Sequence, residues 1–566
     1  MTKNWHSPIE SCEVTNNSSD INWNDRADVI VIGLGAAGVA CALQALELGQ
    51  SVIAIDRFDG GGATVASGGV IYAGGGTPLQ IEAGFEDTPE NMFNYLKLEV
   101  GGIVKDSTLK DFCEQSAPTI SWMQGHGVDF RSDYWSQKTS YPAPEYFLYH
   151  SDNSLIESYK AVAKPAPRGH RGYVPIVQGR KAQNLGGSLF EPLLKSAVAR
   201  GLKMQSYSEA RQLIKDRSGN VIGVKVLKFS DAAIQKRYQE LRQKAQHLMT
   251  IYPSVLPGFS YFMRKAFKVL AQAAELETHR TVHYIRADKG VLLSAGGFIF
   301  NRKMLKTYAP KYKRCFPLGT DGDDGAGIRL GQSAGGAIGN MERATAWRFI
   351  NPPLSFARGM IVNSQGKRFI NEMVYGATLG VEMVENQDGK AWLILDKALI
   401  KSALNDVSGN KALAFQKALA KLNVYFGSTK AKTIEDLADK IGLDSDALRQ
   451  TLTVYNNASS GRITDSYGKS SGDIAPLSSS PFYAINIGLD AKLFPCPALT
   501  LGGLRVEETS GQVLSEDGQN IKGLFAAGRN AIGVASWNYV SGLSIADGIY
   551  SGRRAARAIA NVSFQQ

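Results

Sequence analysis

The chain has 566 residues, 44% of them hydrophobic and 20% charged; that excludes a disordered or fibrous protein and exceeds one ordinary core, so two domains are expected, one interrupted by the other. Lys and Arg outnumber Asp and Glu by 63 to 52, but no zinc-finger, helix-turn-helix or RNA-binding signature accompanies the excess, so nucleic acid is excluded as a partner. Five scattered cysteines without Cys-x-x-Cys spacing exclude a disulfide framework and a metal site, and point to a cytoplasmic setting.

Residues 1–27 are polar and lack the cationic start and apolar core of a signal peptide; they are expected to be a flexible leader. Val29 to Leu46 is an uncharged 18-residue run, long enough to suggest a membrane span. Its three spaced glycines and β-branched beginning predict instead a strand, a tight turn and a helix. Within it, Gly33 makes the turn, Gly35 removes the side chain that would block a pyrophosphate, and Gly38 lets helix and strand pack closely. Asp56, 23 residues after Gly33, ends the next strand and is placed to take ribose hydroxyls.

The stretch "GGATVASGG" follows, with Gly62, Ala63, Thr64, Ser67, Gly68 and Gly69 as further candidates for backbone approach to a cofactor. No histidine or cysteine stands beside it, so a noncovalent cofactor is expected. From Ala232 to Ala287 nine Lys or Arg accompany three Glu. Ile234, Tyr238, Leu241, Ala245 and Leu248 form one helical stripe; Phe259, Phe262, Met263, Ala266, Phe267 and Leu270 form a second after a break at Pro253 and Pro257. Such stripes suit an interfacial membrane helix and equally a hairpin packed on the parent domain or on another subunit.

Two distant stretches, "KGVLLSAGGF" at Lys289 to Phe298 and "IKGLFAAGRNAIG" at Ile521 to Gly533, each read as a strand running into a Gly-rich turn. This is the pattern of a glutathione-reductase-type FAD domain, left and re-entered by the chain. The Ala-rich segment after Ser541 reads as a helix whose N-terminus aims backbone donors at the flavin or at a substrate oxyanion. The expected cofactor-binding set is thus Gly33, Gly35, Ala36, Ala37, Gly38, Asp56, Arg57, Gly62, Ala63, Thr64, Ser67, Gly68, Gly69, Ala295, Gly296, Gly528, Arg529, Ser544 and Ile545, with no metal ligands.

The stretches "GGATVASGGVIYAGGGTPLQ", "PAPRGH", "NEMVYGATLG", "TLGGLRV" and "YVSGLSIADGIYSGRRA" resemble the fumarate reductase and succinate dehydrogenase flavoprotein superfamily and, within it, the bacterial 3-ketosteroid Δ4-(5α)-dehydrogenases. The resemblance runs from Asp28 to about Asp231 and from about Ala287 to Ile559. It implies an α/β chain in which an FAD-binding Rossmann domain of the glutathione-reductase type (28–309, with a basic amphipathic insertion at about 232–286, and 487–566) is interrupted by an α+β catalytic domain (310–486). Dicarboxylate reductases of the superfamily carry an arginine where this chain has Gly376 and a histidine where it has Leu499, which argues against fumarate or succinate.

Tyr375, Tyr539 and Ser541 match the tyrosine, tyrosine and serine that line the flavin in the Δ4-(5α) family. The resemblance implies that Tyr539, with the Gly542 amide as second donor, bonds a substrate carbonyl, and that Ser541 removes an α-proton alone or in a relay with Tyr375 and Tyr539. The substrate expected is a steroid or sterol-like 3-ketone, and the electron acceptor an external, quinone-like one, since no second nucleotide fingerprint is visible. Alternatives are the related Δ1-dehydrogenases, which typically show Tyr-Pro-Gly-Pro-Gly where this chain has Tyr539-Val540-Ser541-Gly542-Leu543, and a reductase for a small acid or enone anchored by Arg168, His170 or Arg505. A non-catalytic flavin-fold binding protein is a third, disfavoured by the intact glycine fingerprint. Localisation is expected to be cytoplasmic, with peripheral contact to the inner membrane face through the insertion.

Overall fold

A computed structural model describes residues 6–173, 185–250 and 259–562. Its first sheet is built on five parallel strands in the order Lys203–Gln205, Val52–Ile55, Asp25–Ile32, Arg280–Leu293 and Asn520–Ala526. Val29, Ile30, Val31 and Ile53 are fully buried, as continuous β-branched runs in a parallel sheet covered on both faces should be. The 14-residue strand Arg280–Leu293 serves two purposes. Its first half pairs antiparallel with Val221–Phe229 and its second half parallel with Asn520–Ala526, with an irregularity between Ala287 and Gly290.

The run Val29 to Leu46 forms strand, turn and the helix Ala36–Glu47, and no helix among the described residues is long and apolar enough to cross a membrane. That helix packs on Leu543–Ala560 through small residues: a Cβ at Gly552 would stand 2.2 Å from the Ala37 carbonyl oxygen. The C-terminal helix is thereby fixed against the turn that opens the first one, which places its own N-terminus at the cavity described below.

Residues 6–24, read from sequence as a loose leader, lie instead against this domain. Glu13–Val14 pairs in parallel with Ile214–Lys215, and the Ser7 N–H donates to the buried Asp324 carboxylate at 2.7 Å. Polarity misled here because a sheet edge needs backbone donors and acceptors, which any sequence supplies. Residues 1–5 of that leader and the break at Pro253 and Pro257 lie outside the described residues.

The basic insertion forms the helices Ala232–Thr250 and Phe259–Leu276. Tyr238, Leu241, Ala245, Ala266 and Leu270 are buried, against Tyr207 and Phe229 of the parent domain in part. The Arg242 guanidinium pairs with Asp321 at 2.8 Å and lies 4.1 Å from the Phe58 ring centroid. The first stripe thus packs in part on the parent domain, while Phe262, Met263 and Phe267 of the second are half-buried.

A second core surrounds a four-stranded antiparallel sheet, Met360–Val362, Trp392–Asp396, Phe482–Asn486 and Ser428–Ala431. The polar helices Ile434–Ile441 and Ser445–Ser459 cover it from outside, burying Leu437 and Leu448. The strand Pro497–Thr500, beyond the expected boundary at residue 486, pairs with Phe316–Pro317 and Ala344–Ala346, and Phe494 and Cys496 belong to this core. A small sheet, Val70–Tyr72, Gly169–Arg171, Leu148–Tyr149 and Tyr134–Trp135, lies on the same chain path as the "PAPRGH" stretch.

Candidate active site

One long cavity runs from Asp56 to Tyr375 and is lined from both cores. At its first end the glycine fingerprint divides by cause. Gly33 has φ of +92° and a Cβ there would meet the Ala295 backbone at 2.6 Å; a Cβ at Gly38 would lie 2.1 Å from the Gly33 carbonyl oxygen. Both are glycine for the protein's own packing. At Gly35 the nearest protein atom is Thr64 Oγ1, 3.5 Å away, so the protein's own packing does not require the missing side chain, and its absence leaves the backbone open to the cavity. The first turn of the helix Ala36–Glu47 opens onto that space, a ready site for a pyrophosphate.

Asp56 accepts the Leu34 N–H and the Phe58 N–H, both at 2.8 Å, leaving each carboxylate oxygen a further lone pair for a ribose hydroxyl. Burial pushes its pKa up while those amides hold it down. Arg57 is paired with Asp324 at 3.2 Å and Glu209 at 3.8 Å. Further along, Thr64 Oγ1 accepts the Ala36 N–H at 3.0 Å. The Arg529 guanidinium donates to Asp323 at 2.7 Å, while its other terminal nitrogen and the Ser544 hydroxyl are buried without a partner. Both line the cavity, and two orphaned polar groups beside an open glycine cradle fit a bound dinucleotide.

Of the expected cofactor-binding residues, Gly38 and Gly69 do not line the cavity. Gly69 is glycine because a Cβ there would press on the Leu185 carbonyl oxygen at 2.3 Å, with φ at +67°. The rest line it: Gly33, Gly35, Ala36, Ala37, Asp56, Arg57, Gly62, Ala63, Thr64, Ser67, Gly68, Ala295, Gly296, Gly528, Arg529, Ser544 and Ile545.

At the other end Tyr375, Tyr539, Ser541 and Gly542 converge on one wall. Tyr539 lies beside the Trp347 ring, centroids 5.0 Å apart, and Tyr375 meets Phe349 edge-on at 5.5 Å. Gly542 caps the helix Leu543–Ala560 with φ of +84°, and a Cβ there would strike the Tyr72 backbone at 2.5 Å. Burial pushes the Tyr539 phenol up to about 12, against the Arg529 charge. Burial likewise holds Tyr375 well above the usual phenol value. Both are therefore neutral O–H donors at ordinary pH.

Sequence reasoning missed Tyr149. Its hydroxyl and the Ser541 hydroxyl are 3.2 Å apart, and it too is raised by burial. The segment "YFLYH" carries no motif, and only strand pairing with Gly169–Arg171 brings it to the site. Behind the wall, Asn153 accepts the Tyr375 N–H at 2.6 Å and donates to Glu99 at 2.7 Å. The Arg368-Phe-Ile-Asn-Glu372 run acts from further back. Arg368 donates to both carboxylate oxygens of Glu372 at 2.9 Å and to Asp465, and Lys469 joins Glu372 at 3.1 Å. This fully enclosed network anchors the segment that ends in Tyr375.

The anchors needed for an acid substrate are elsewhere. Arg168 is wholly buried against Asp87 at 2.8 Å, His170 bonds Thr77 Oγ1 at 2.8 Å, and neither lines the cavity; Arg505 is exposed. At Gly376 a Cβ would sit 2.2 Å from the Phe349 ring, so an arginine has no room there. Among the described residues the cations lining the cavity are Arg57 and Arg529, each ion-paired.

Comparison with known proteins agrees with this geometry. The family model described as FAD binding domain matches residues 28–545. A 3-oxo-5-alpha-steroid 4-dehydrogenase of Comamonas testosteroni is 34% identical over 530 residues, 92% of this chain and 96% of that protein. A fumarate reductase (cytochrome) of Shewanella frigidimarina is 24% identical, over 95% of this chain and 78% of its own length. Among solved structures, the 3-ketosteroid-delta4-(5alpha)-dehydrogenase of Rhodococcus jostii RHA1, in complex with 4-androstene-3,17-dione, matches with a TM-score of 0.80 at 28% identity, covering 98% of this chain and all of that one. The chain is an FAD-dependent oxidoreductase that belongs to the FAD binding domain family and, within it, to the 3-oxo-5α-steroid 4-dehydrogenases.

Proposed function

We propose that the protein introduces the C4–C5 double bond into 3-keto-5α-steroids. One observation carries the reading: neutral hydroxyls, those of Tyr375, Tyr539 and Ser541, gather at the N-terminus of Leu543–Ala560 between aromatic walls, while among the described residues the cations that line the cavity, Arg57 and Arg529, are each ion-paired. A ketone in an apolar molecule wants such donors, whereas a carboxylate wants unpaired cations.

The Tyr539 phenol donates to the substrate carbonyl and stabilises the enolate as the C4 proton leaves. The Gly542 amide, at the N-terminus of the same helix and in the cavity wall, is the second donor to that oxygen. Ser541 Oγ takes the C4 proton while its own passes along the hydroxyl relay with Tyr149, 3.2 Å away, and Tyr375, each hydroxyl releasing one proton as it accepts one and the last releasing to water, so that neither a free alkoxide nor a protonated phenol is left. Such positioned acid–base groups supply about 10²–10⁴ in rate each. Bound FAD, held by the glycine cradle, Asp56 and Arg529, supplies the acceptor for the hydride leaving C5. The single dinucleotide fingerprint supports an external, quinone-like electron acceptor.

Anaerobic mixing with a 3-keto-5α-steroid tests the reading. Loss of flavin absorbance and recovery of the 4-ene ketone are expected. Bleaching by a 4-ene substrate with a 1,4-diene product would move the enzyme to the Δ1-dehydrogenases.

A further inference from the structure

The helix Ala414–Tyr425 stands between the cavity and solvent and carries two functional faces. Gln416, Leu419, Ala420 and Asn423 face inward and line the cavity. On the other side Phe415, Ala418, Leu422 and Tyr425 recur at helical spacing, and Phe426 follows at the C-cap. Phe415 and Tyr425 are each 64% exposed and Phe426 77%. Single exposed apolar residues are ordinary, but aromatics joined in one stripe mark an interaction surface. Phe415 belongs to the stripe and to the cavity lining alike, so the surface and the mouth are continuous.

Charge selects the occupant. Residues 407–434 contain five lysines, at 411, 417, 421, 430 and 432, and no Asp or Glu. Lys411 and Lys421 are exposed; Lys417 donates to the Gly409 carbonyl beside them. We infer that this face docks on an anionic phospholipid bilayer. The aromatic stripe enters the boundary between headgroups and acyl chains, and the lysines remain among the phosphates. The cavity mouth then opens directly into the phase where an apolar ketone partitions. That last step rests on the steroid reading; the docking itself does not. The basic insertion is the weaker candidate, because the described residues of its stripes are buried or half-buried and none is exposed, and Arg242 ties it to Phe58 beside Asp56, the opposite end of the cavity.

The test uses the FAD-loaded full chain and sedimentation with vesicles of phosphatidylcholine alone or mixed equally with phosphatidylglycerol. Binding is expected to the anionic vesicles, weakening as salt is raised. The variants Y425S/F426S and K411E/K421E should each lower the bound fraction by about tenfold or more, with flavin spectrum and turnover of a cyclodextrin-dispersed substrate unchanged. Failure of the parent to bind anionic vesicles would overturn the proposal, as would binding that both variants retain. A self-association dissolved by Y425S/F426S without vesicle binding would assign the face to a second copy instead. Absence of flavin bleaching by ketosteroids defeats the steroid reading but leaves the vesicle result standing.

Discussion

Gly35 and Gly38 lie one helical turn apart, and giving each a side chain should separate cofactor from fold. At Gly35 the backbone is extended, with φ of −90° and ψ of −157°, which any residue adopts. A Cβ there finds no protein atom nearer than 3.5 Å. Gly35→Val should therefore cost the fold almost nothing while filling the space over the first helical turn. If two first-turn amides lose a charged pyrophosphate, at about 1.5–3 kcal/mol each, the loss is about 3–6 kcal/mol, or roughly 10²–10⁴ in Kd. Gly38→Ala behaves oppositely. Its Cβ lies 2.1 Å from the Gly33 carbonyl oxygen, a backbone atom that cannot rotate away, so the fold itself loses about 1–3 kcal/mol or more. FAD absorbance after gel filtration and thermal melting of both apoproteins make the comparison; apoproteins are used because bound FAD itself stabilises. The expected result is a colourless Gly35→Val that melts with the parent apoprotein and a Gly38→Ala that melts several degrees lower. Stoichiometric FAD in Gly35→Val would refute the reasoning.

Tyr375→Phe, Tyr539→Phe and Ser541→Ala should each slow flavin reduction by roughly 10² or more with FAD content unchanged, and stopped-flow bleaching checks this; three near-normal rates would place the chemistry elsewhere. Fumarate reduction should stay at background, and Gly376→Arg should not install it but lower the melting temperature, because Phe349 occupies the space a Cβ needs; robust fumarate turnover by either protein would contradict the site assignment. Burial lowers the His170 imidazole to about 4, below the ordinary value of about 6.5, so the unfolded chain binds the proton first and stability falls as pH drops from about 6.5 towards 4, by about 3 kcal/mol. Urea midpoints measured across that range should decline, and His170→Gln should flatten the decline; an unchanged slope would show that His170 does not cause it.

The dinucleotide end was legible in the chain because its demands are local. A tight turn, a helix N-terminus and an acid at the next strand's end fall within a few dozen residues, and glycine records backbone constraints directly. The exchange of arginine for Gly376 and of histidine for Leu499 also reads from sequence, as a statement about what the substrate is not. What only the tertiary structure decided depends on contacts between distant segments. Tyr149 reaches Ser541 across 392 positions, through a strand pairing no local pattern announces. Arg168 and His170, chemically able to bind an acid, are spent on Asp87 and Thr77. The amphipathic insertion left membrane and protein partners equally open, since periodicity says that a face is buried but not against what; the structure packs Tyr238 and Leu241 of its first stripe with Tyr207 and Phe229. Gly35 and Gly38 look alike in the motif, and only the distances around them show that a side chain has room at the first and none at the second. Sequence fixes which groups a residue can offer, and the packing of segments far apart in the chain determines which of those offers reach the cavity.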